Sequence, residues 1–401
     1  MAVDDLWFST KREYDANGKK LPAKPTKRHG RGKRWRVRYL DDTGSKVEKL
    51  FERKPDAEQF DRAVHTDVAR GLYVDPIAGR ETVESYSERW RKAQMHRGST
   101  AELMERTFRR HITPVLGPLA MSQVRSTHVQ AWAKNVDLAP STARIAYSYL
   151  VSMFGSAVRD RVIAVSPCAG GINLPAVGNV EHVIPTPKQV HELAAALPTR
   201  WRALVYVGAG LGLRHGEALG LELRHIDFLR REVRVEQQLT VVSGRSPYLA
   251  PLKTKTSRRV VELPKVTANE LARHIREFPP VDVEVDDETD RRNPVKRPAS
   301  LLFTTPRQLP IHRATWSHDW APAAKGVGLP PRTGFHSLRH YFATVLIFGG
   351  ANVKSVQLAL GHSTPTVTLN TYVGLWPEQI DRTRTLVDDA LGAPPPVVVA
   401  T

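Results

Sequence analysis

The stretch "SPCAGGINLPAVGNVEHVIPTP", residues 166–187, divides this chain. Five Gly or Pro residues interrupt it before Val183, so neither a helix nor a strand can run through it. The elements on its two sides must therefore bury separate apolar faces. A chain of 401 residues leaves each side room for at least one domain of ordinary size.

Upstream, residues 16–38 contain no acid, while ten Lys or Arg fall between Lys19 and Arg38. Such a run is either a solvated basic tail or part of a polyanion-binding surface. "RWRVRYL" alternates like a strand, with Trp35, Val37 and Tyr39 on one face and Arg34, Arg36 and Arg38 on the other. "DDTG" reads as a turn and "SKVEKLF" as a second strand. In "KPDAEQFDRAVHTDVARG", Ala57, Phe60, Val64 and Val68 keep helical spacing, and Gly71 is the stop. A small sheet with arginines on one face and a helix on the other suits a phosphate-gripping module, with Lys33, Arg34, Arg36 and Arg38 as its DNA contacts.

From residue 82 the pattern turns helical: "TVESYSERWRKAQM", "TAELMERTFRRHI", "THVQAWAKNV" and "APSTARIAYSYLVSMFGSAVRDRVI" form an all-α region. Beyond the break, "PKQVHELAAALPTRWRALVYVGAGLG" gives two helices, and "HIDFLRREVRVEQQLTVVSG" and "RRVVELP" are strand-like. "VDVEVDDETDRRNPVKRP" reads as an exposed acidic loop. The remainder from Trp316 is helical, down to a disordered "APPPVVVAT" tail.

Charge narrows the partners. The chain carries 59 Lys and Arg against 41 Asp and Glu, a net charge of +18, and such a field favours nucleic acid or an anionic surface. It has no apolar run long enough to span a bilayer, and the N-terminus lacks the order of a secretory signal. Its one cysteine, Cys168, allows neither an internal disulfide nor a zinc-finger ligand set, which fits a reducing, cytosolic setting. Cys168 itself, beside a turn, reads as inert.

Four short stretches in the second half could do chemistry. In "GLGLRHGEALGLELRHID", Arg214 enters a junction of leucines (211, 213, 219, 221 and 223). It is either one half of an ion pair with Glu217 or Asp227, or a guanidinium fork for phosphate oriented by Glu217. In "PLKTKTSRRVVELP", Lys253 and Lys255 share strand parity near a hairpin tip. A lysine there is solvated surface or a mobile general acid. In "TGFHSLRHYFATVLIFGG", His336 and Arg339 fall on one helix face, with Phe342, Val345 and Leu346 toward the core. In "NVKSVQLALGHSTPTVTLNTYVG", Gly361 closes a helix, His362 follows, Ser363 or Thr364 caps the next, and Tyr372 lies two turns in. Each signal alone is weak. Together they set cations and donors around one hydroxyl, a pattern suited to the dispersed charge of a phosphodiester in transfer. A tyrosine with its pKa near 10 needs such surroundings to attack at neutral pH. No Gly-rich loop with Lys and Ser/Thr points to ATP, and no dense carboxylate cluster points to a metal-dependent nuclease.

These residues, in this order, resemble the tyrosine recombinase (phage integrase) family. The likeness covers most of the chain. It implies a multi-domain fold, mainly α with small β-sheets. The expected parts are a basic tail (1–29), an arm-type DNA-binding domain of three-stranded sheet plus helix (30–76), an all-α core-binding domain (82–178), a mixed α+β catalytic domain (183–392) and a short tail (393–401). It also implies roles. Arg214 and Arg339 would hold the scissile phosphate, and Tyr372 would attack phosphorus to give a 3′-phosphotyrosine link. Lys253, with Lys255 as the alternative, would protonate the departing 5′ oxygen, and His336 and His362 would assist. No cofactor, ATP or metal is expected. The implied partners are double-stranded DNA at core-type and arm-type attachment sites, three further copies in a homotetramer, a DNA-bending host factor and an excisionase. The implied setting is the bacterial cytoplasm, on the nucleoid, with no membrane partner. The family often carries a further histidine two residues after the tyrosine, where this chain has Gly374. Two other functions share parts of the pattern: an accessory DNA-binding protein that has lost the chemistry, and a type IB topoisomerase. The full set of candidate catalytic residues disfavours the first, and the arm-type domain and length disfavour the second.

Overall fold

The computed structural model describes residues 3–9, 11, 13–14, 17, 19–40, 46–69, 78–178 and 182–372. The turn expected at "DDTG", the stop at Gly71, the C-terminal tail and Gly374 lie outside them. The chain forms two units, Met1–Gly178 and Asn179–Thr401, and the division falls inside the Gly- and Pro-rich stretch.

The first unit begins with three antiparallel strands in the order β1 (Val3–Asp5), β2 (Trp35–Leu40), β3 (Lys46–Phe51). Val37 and Tyr39 point inward and pack with Ala57 and Val64 of α1 (Lys54–Ala69). One expectation needs correcting here. The described residues of the expected basic tail (1–29) are not free: Val3–Asp5 supplies a strand, and Phe8 bridges to Pro25. The cause is electrostatic. Asp4 and Asp5 precede the basic run and meet Arg34, Arg36 and Arg38 across the sheet, while Trp7 and Phe8 lie against the Arg34 guanidinium.

The rest of this unit is helical: α2 (Val83–Ala93), α3 (Gly98–Thr107), a wider π-helical turn over Phe108–Ile112, α4 (Thr113–Leu116), α5 (Ser126–Asn135) and α6 (Pro140–Arg159). Thr82 caps α2 by accepting from the Ser85 N–H, and proline opens α6 at a position where no N–H is needed. Tyr86, Trp90, Phe108, Trp132, Leu150 and Phe154 share one core, each such residue worth about 1.5–3 kcal/mol of burial. Their polar ends are satisfied: Tyr86 donates to Asp160 and the Trp90 indole to Ser156. Cys168 closes this core, and burial pushes its thiol up to about 11, so the group is unreactive at neutral pH.

The second unit starts with α7 (Pro187–Ala196), capped by a reciprocal Thr186–Gln189 box, then α8 (Thr199–Leu211) and α9 (His215–Leu219). Strands β4 (Ile226–Asp227), β5 (Glu232–Val235), β6 (Gln237–Thr240), β7 (Tyr248–Pro251) and β8 (Arg259–Glu262) follow. After α10 (Lys265–Glu277) come β9 (Asp282–Asp287) and β10 (Val295–Ser300), then α11 (Arg313–Gly326), α12 (His336–Phe348), α13 (Val353–Leu360) and α14 (Pro365–Tyr372). The sheets run β4-β5-β8 and β10-β9-β7-β6.

Two expectations fail in these sheets. The acidic segment 281–298 is an antiparallel hairpin rather than a loop. Val283 and Val285 alternate into the core, and the buried Asp287 carboxylate is met by Arg297 across the hairpin. Pro298 sits on the edge strand β10, where a missing N–H is tolerated. The lysines are also not at a hairpin tip. Thr240 pairs with Tyr248 and Gln237 with Pro251, yet Val235 pairs with Arg259. Residues 252–258 are thus an excursion within the returning strand, opposite Glu236, and the lysines ride on it. Leu223 and Val345, expected in the core, are exposed. No helix of the described residues is long and apolar enough to cross a membrane.

Candidate active site

Arg214 follows the end of α8. The chain turns there through Gly212 in the left-handed region (φ 61°), where an added Cβ would lie 2.3 Å from the Phe342 ring. Both constraints require glycine. The turn delivers Arg214 as the N-cap of α9, with its guanidinium 2.7 Å from Glu217 Oε1 and its backbone N–H donating to Oε2. Of the two acids considered for this pair, Glu217 is the partner.

Glu217 is only 1% exposed and serves a second arginine, Arg259, at 3.0 Å. Burial would raise its pKa, but Arg259 and Arg214 outweigh that and hold the carboxyl below its ordinary range. Arg259 also donates to the carbonyls of Ser257 and Ala359. It thereby ties the lysine excursion to the end of α13. Gly361 closes α13 at φ 63°, and its tight fit against Arg259 and Ser257 leaves no slack for a side chain.

Arg339 lies on α12, 1% exposed. It donates to Gly212 O at 2.7 Å and Leu360 O at 2.6 Å, carbonyls at the C-terminal ends of α8 and α13. Helix C-termini carry partial negative charge, which stabilises a buried cation. Burial and then Arg214 pull its pKa downward. The site therefore concentrates three guanidiniums, Arg214, Arg259 and Arg339, near Glu217, the one carboxylate paired with any of them among the described residues.

Three histidines line the same site as neutral bases. His336 opens α12 with much of its surface accessible, yet partial desolvation, Arg339 and Arg214 bring it down to about 4. His362, just past Gly361, is hydrogen-bonded to Thr368 at 2.9 Å and is lowered to about 4 by burial and the same two arginines. His340, one turn after His336, is buried and drops to about 3. Tyr372, 2% exposed, has its hydroxyl 2.8 Å from His340 Nδ1. Burial raises its pKa to about 12, against the pull of Arg339.

The structure thus gathers Arg214, Glu217, His336, Arg339, His362 and Tyr372 into one place. Lys253 and Lys255 are both exposed on the excursion, and the Lys253 charge contributes to lowering His336. Arg34, Arg36 and Arg38 belong to a different cluster on the N-terminal sheet, where each is ion-paired; Lys33 beside them is exposed. Sequence reading passed over Arg259 and His340. Both lay within motifs already singled out ("SRRVV" and "LRHYF"), and helical spacing puts His340 one turn from His336.

Residues 184–378 match the phage integrase family model. Among known proteins, the chain is 28% identical to the integrase of Mycobacterium phage D29 over 291 residues, covering 72% of this chain and 73% of that one. It is 28% identical to tyrosine recombinase XerD of Pseudomonas putida over 250 residues, covering 59% of this chain and 72% of that one. Among solved structures, it is similar to the Tn1549 transposon integrase (residues 82–397) in complex with a circular intermediate DNA. That likeness has a TM-score of 0.63 at 22% identity and covers 76% of this chain and 98% of that one. A lambda integrase dimer bound to a core site gives a TM-score of 0.54 at 15% identity, over 93% of this chain and 96% of that one. These matches define a class of enzyme, the site-specific DNA recombinases of the tyrosine type. Residues 184–378 carry the phage integrase family's domain, the chain's relatives are integrases and tyrosine recombinases, and the fold class expected from the sequence is the one these neighbours carry.

Proposed function

We propose that this recombinase integrates or excises a phage or other mobile element through a covalent phosphotyrosine intermediate, with Tyr372 as nucleophile. The observation that carries the reading is the charge imbalance at the site: three guanidiniums around one buried carboxylate leave two positive charges uncompensated. A scissile phosphodiester brings one negative charge, and its transition state develops more, so an excess of this sign stabilises the transition state most.

In the first step the Tyr372 oxygen bonds to phosphorus as the bond to the 5′ oxygen breaks. Arg214 and Arg339 hold the non-bridging oxygens, the neutral His336 or His362 accepts the phenolic proton, and Lys253 protonates the leaving 5′ oxygen. Lys253 is preferred over Lys255 because its charge is among those felt at His336. In the second step the 5′-hydroxyl of a partner strand attacks the phosphotyrosine and the proton transfers reverse. One phosphodiester is exchanged for another of similar energy, so the cycle closes without ATP or a metal.

The organisation follows the same reading. The helical region 82–178 and the catalytic region 183–392 grip core-type sites, and the sheet-and-helix region 30–76, extended by β1, binds arm-type sites. The working form is a homotetramer on two duplexes in the bacterial cytoplasm, on the nucleoid, with a DNA-bending host factor and an excisionase setting direction.

The test is a nicked suicide substrate spanning the element's junctions. Wild-type protein is expected to accumulate a covalent DNA adduct and Tyr372→Phe none. Failure of wild type to form the adduct, or its persistence in the variant, would sink the mechanism. Supercoil relaxation without strand exchange between duplexes would point instead to a topoisomerase.

A further inference from the structure

A nucleophile that is 2% exposed cannot receive a phosphate in line. The state described here is therefore not the attacking one, and something must hold the tyrosine in it. Its hydroxyl has one hydrogen-bond partner among the described residues, His340 Nδ1 at 2.8 Å. In the tautomer with the imidazole proton on Nε2, Nδ1 accepts and the phenol donates. The ring of His340 is fixed in turn: His182 stacks on it at 4.2 Å with the planes 24° apart, and His336 meets it edge-on at 4.7 Å. His182 is exposed and lies just beyond the boundary at Gly178, in the segment leading into the catalytic unit.

We infer that His340 is a positioning residue that keeps Tyr372 sealed at rest, braced by His182, and that the Tyr372–His340 bond opens before attack. This rests on Tyr372 being the nucleophile. The pair is suited to holding and unsuited to proton transfer. The phenol is pushed up to about 12 and the imidazole down to about 3, so in the sealed state the proton stays on oxygen. His336 and His362 become bases only once a bound phosphate offsets the Arg339 and Arg214 charges that lower them. Because the brace comes from the chain entering the catalytic unit, displacement of that segment on DNA is a route to release. Arg214 and Arg339 make none of their hydrogen bonds to the tyrosine hydroxyl among the described residues, so release leaves their arrangement intact.

The experiment compares full-length wild type, His340→Ala, His340→Asn and His182→Ala. Asparagine offers an acceptor oxygen near the place of Nδ1. Tyr372 accessibility in the free protein is read by tetranitromethane nitration, quantified on the Tyr372 peptide by mass spectrometry. Adduct formation is read in single turnover on the nicked substrate. His340→Ala is expected to raise nitration and the adduct rate by roughly fivefold, the scale of one neutral hydrogen bond. His340→Asn should stay near wild type, and His182→Ala should fall between them. Nitration of His340→Ala at the wild-type level overturns the inference. So does slower adduct formation despite greater accessibility, which would make the bond part of the attack. Should His340→Ala not fold, unchanged nitration in His182→Ala overturns it. The underlying reading fails separately, through an adduct in Tyr372→Phe.

Discussion

In the N-terminal sheet, Arg34, Arg36 and Arg38 meet Asp4, Asp5 and Glu48, acid for base, with Arg38 largely exposed. Between Gly212 and Gly361, Arg214 and Arg259 share Glu217 while Arg339 beside them is held by carbonyls, with no second carboxylate paired to the three among the described residues; Arg259 and Arg339 are almost wholly buried. The same side chain serves two purposes. Half-exposed, matched pairs are worth little and are screened by salt, so a competing anion can replace either aspartate at modest cost. Buried, unmatched guanidiniums cannot relax toward solvent. They are held by backbone carbonyls at helix ends, and their field stays directed into the site. The first arrangement suits reversible docking, and the second suits a transition state.

The sharpest break between the clusters is kinetic. Arg339→Ala is expected to slow adduct formation on a nicked core site by roughly a thousandfold or more. Its affinity for the same DNA should change only a few-fold, because the chain carries 58 other Lys and Arg, one fewer than its total of 59, to attract the backbone. Gel-shift affinity and single-turnover cleavage measured on one preparation separate the two. Equal losses in both would place Arg339 with the docking arginines and collapse the distinction.

Stability gives the next contrast. Glu217→Ala leaves Arg259 buried beside Arg214 with no counter-charge, and it should cost about 3–5 kcal/mol in urea unfolding. Asp4→Asn removes a partner from two surface arginines and should cost less than about 1 kcal/mol. A mild Glu217 variant would mean that the carbonyl partners alone neutralise the cluster, and that the excess charge counted above is overstated.

How much of this was legible in the sequence follows from range. Gly212 and Gly361 end helices by local backbone rules, so the placing of Arg214 and His362 just beyond them could be read from spacing. His336 and Arg339 followed from one helical turn. The hydrogen bond of His340 to Tyr372 spans 32 residues and that of Arg259 to Ala359 spans 100, and no local pattern encodes either. The lysine excursion was missed for a related reason. Alternation shows which residues share a face, but not that Val235 skips from the Pro251 side of its partner to Arg259. The acidic hairpin at 281–298 was hidden by composition, since its buried or half-buried acids are matched by Arg297 within the hairpin and by Arg245 from the segment between β6 and β7. Asp4 and Asp5, read as the start of a tail, are acids whose partners lie some thirty residues away.

Those two aspartates provide the finest test. If they mask the sheet, replacing both with asparagine frees Arg34, Arg36 and Arg38 for phosphates without adding any positive residue. Binding of the full-length protein to a random-sequence duplex should then tighten at low salt. The plot of log affinity against log salt should steepen by about 0.9 for each additional phosphate neutralised. Wild type and variant share every other cation, so the difference in slope belongs to this sheet. An unchanged slope with weaker binding would assign the aspartates the opposite part. They would then fix the arginines in the geometry that DNA requires, as Glu217 does for Arg214, and the two clusters would differ in burial but not in principle.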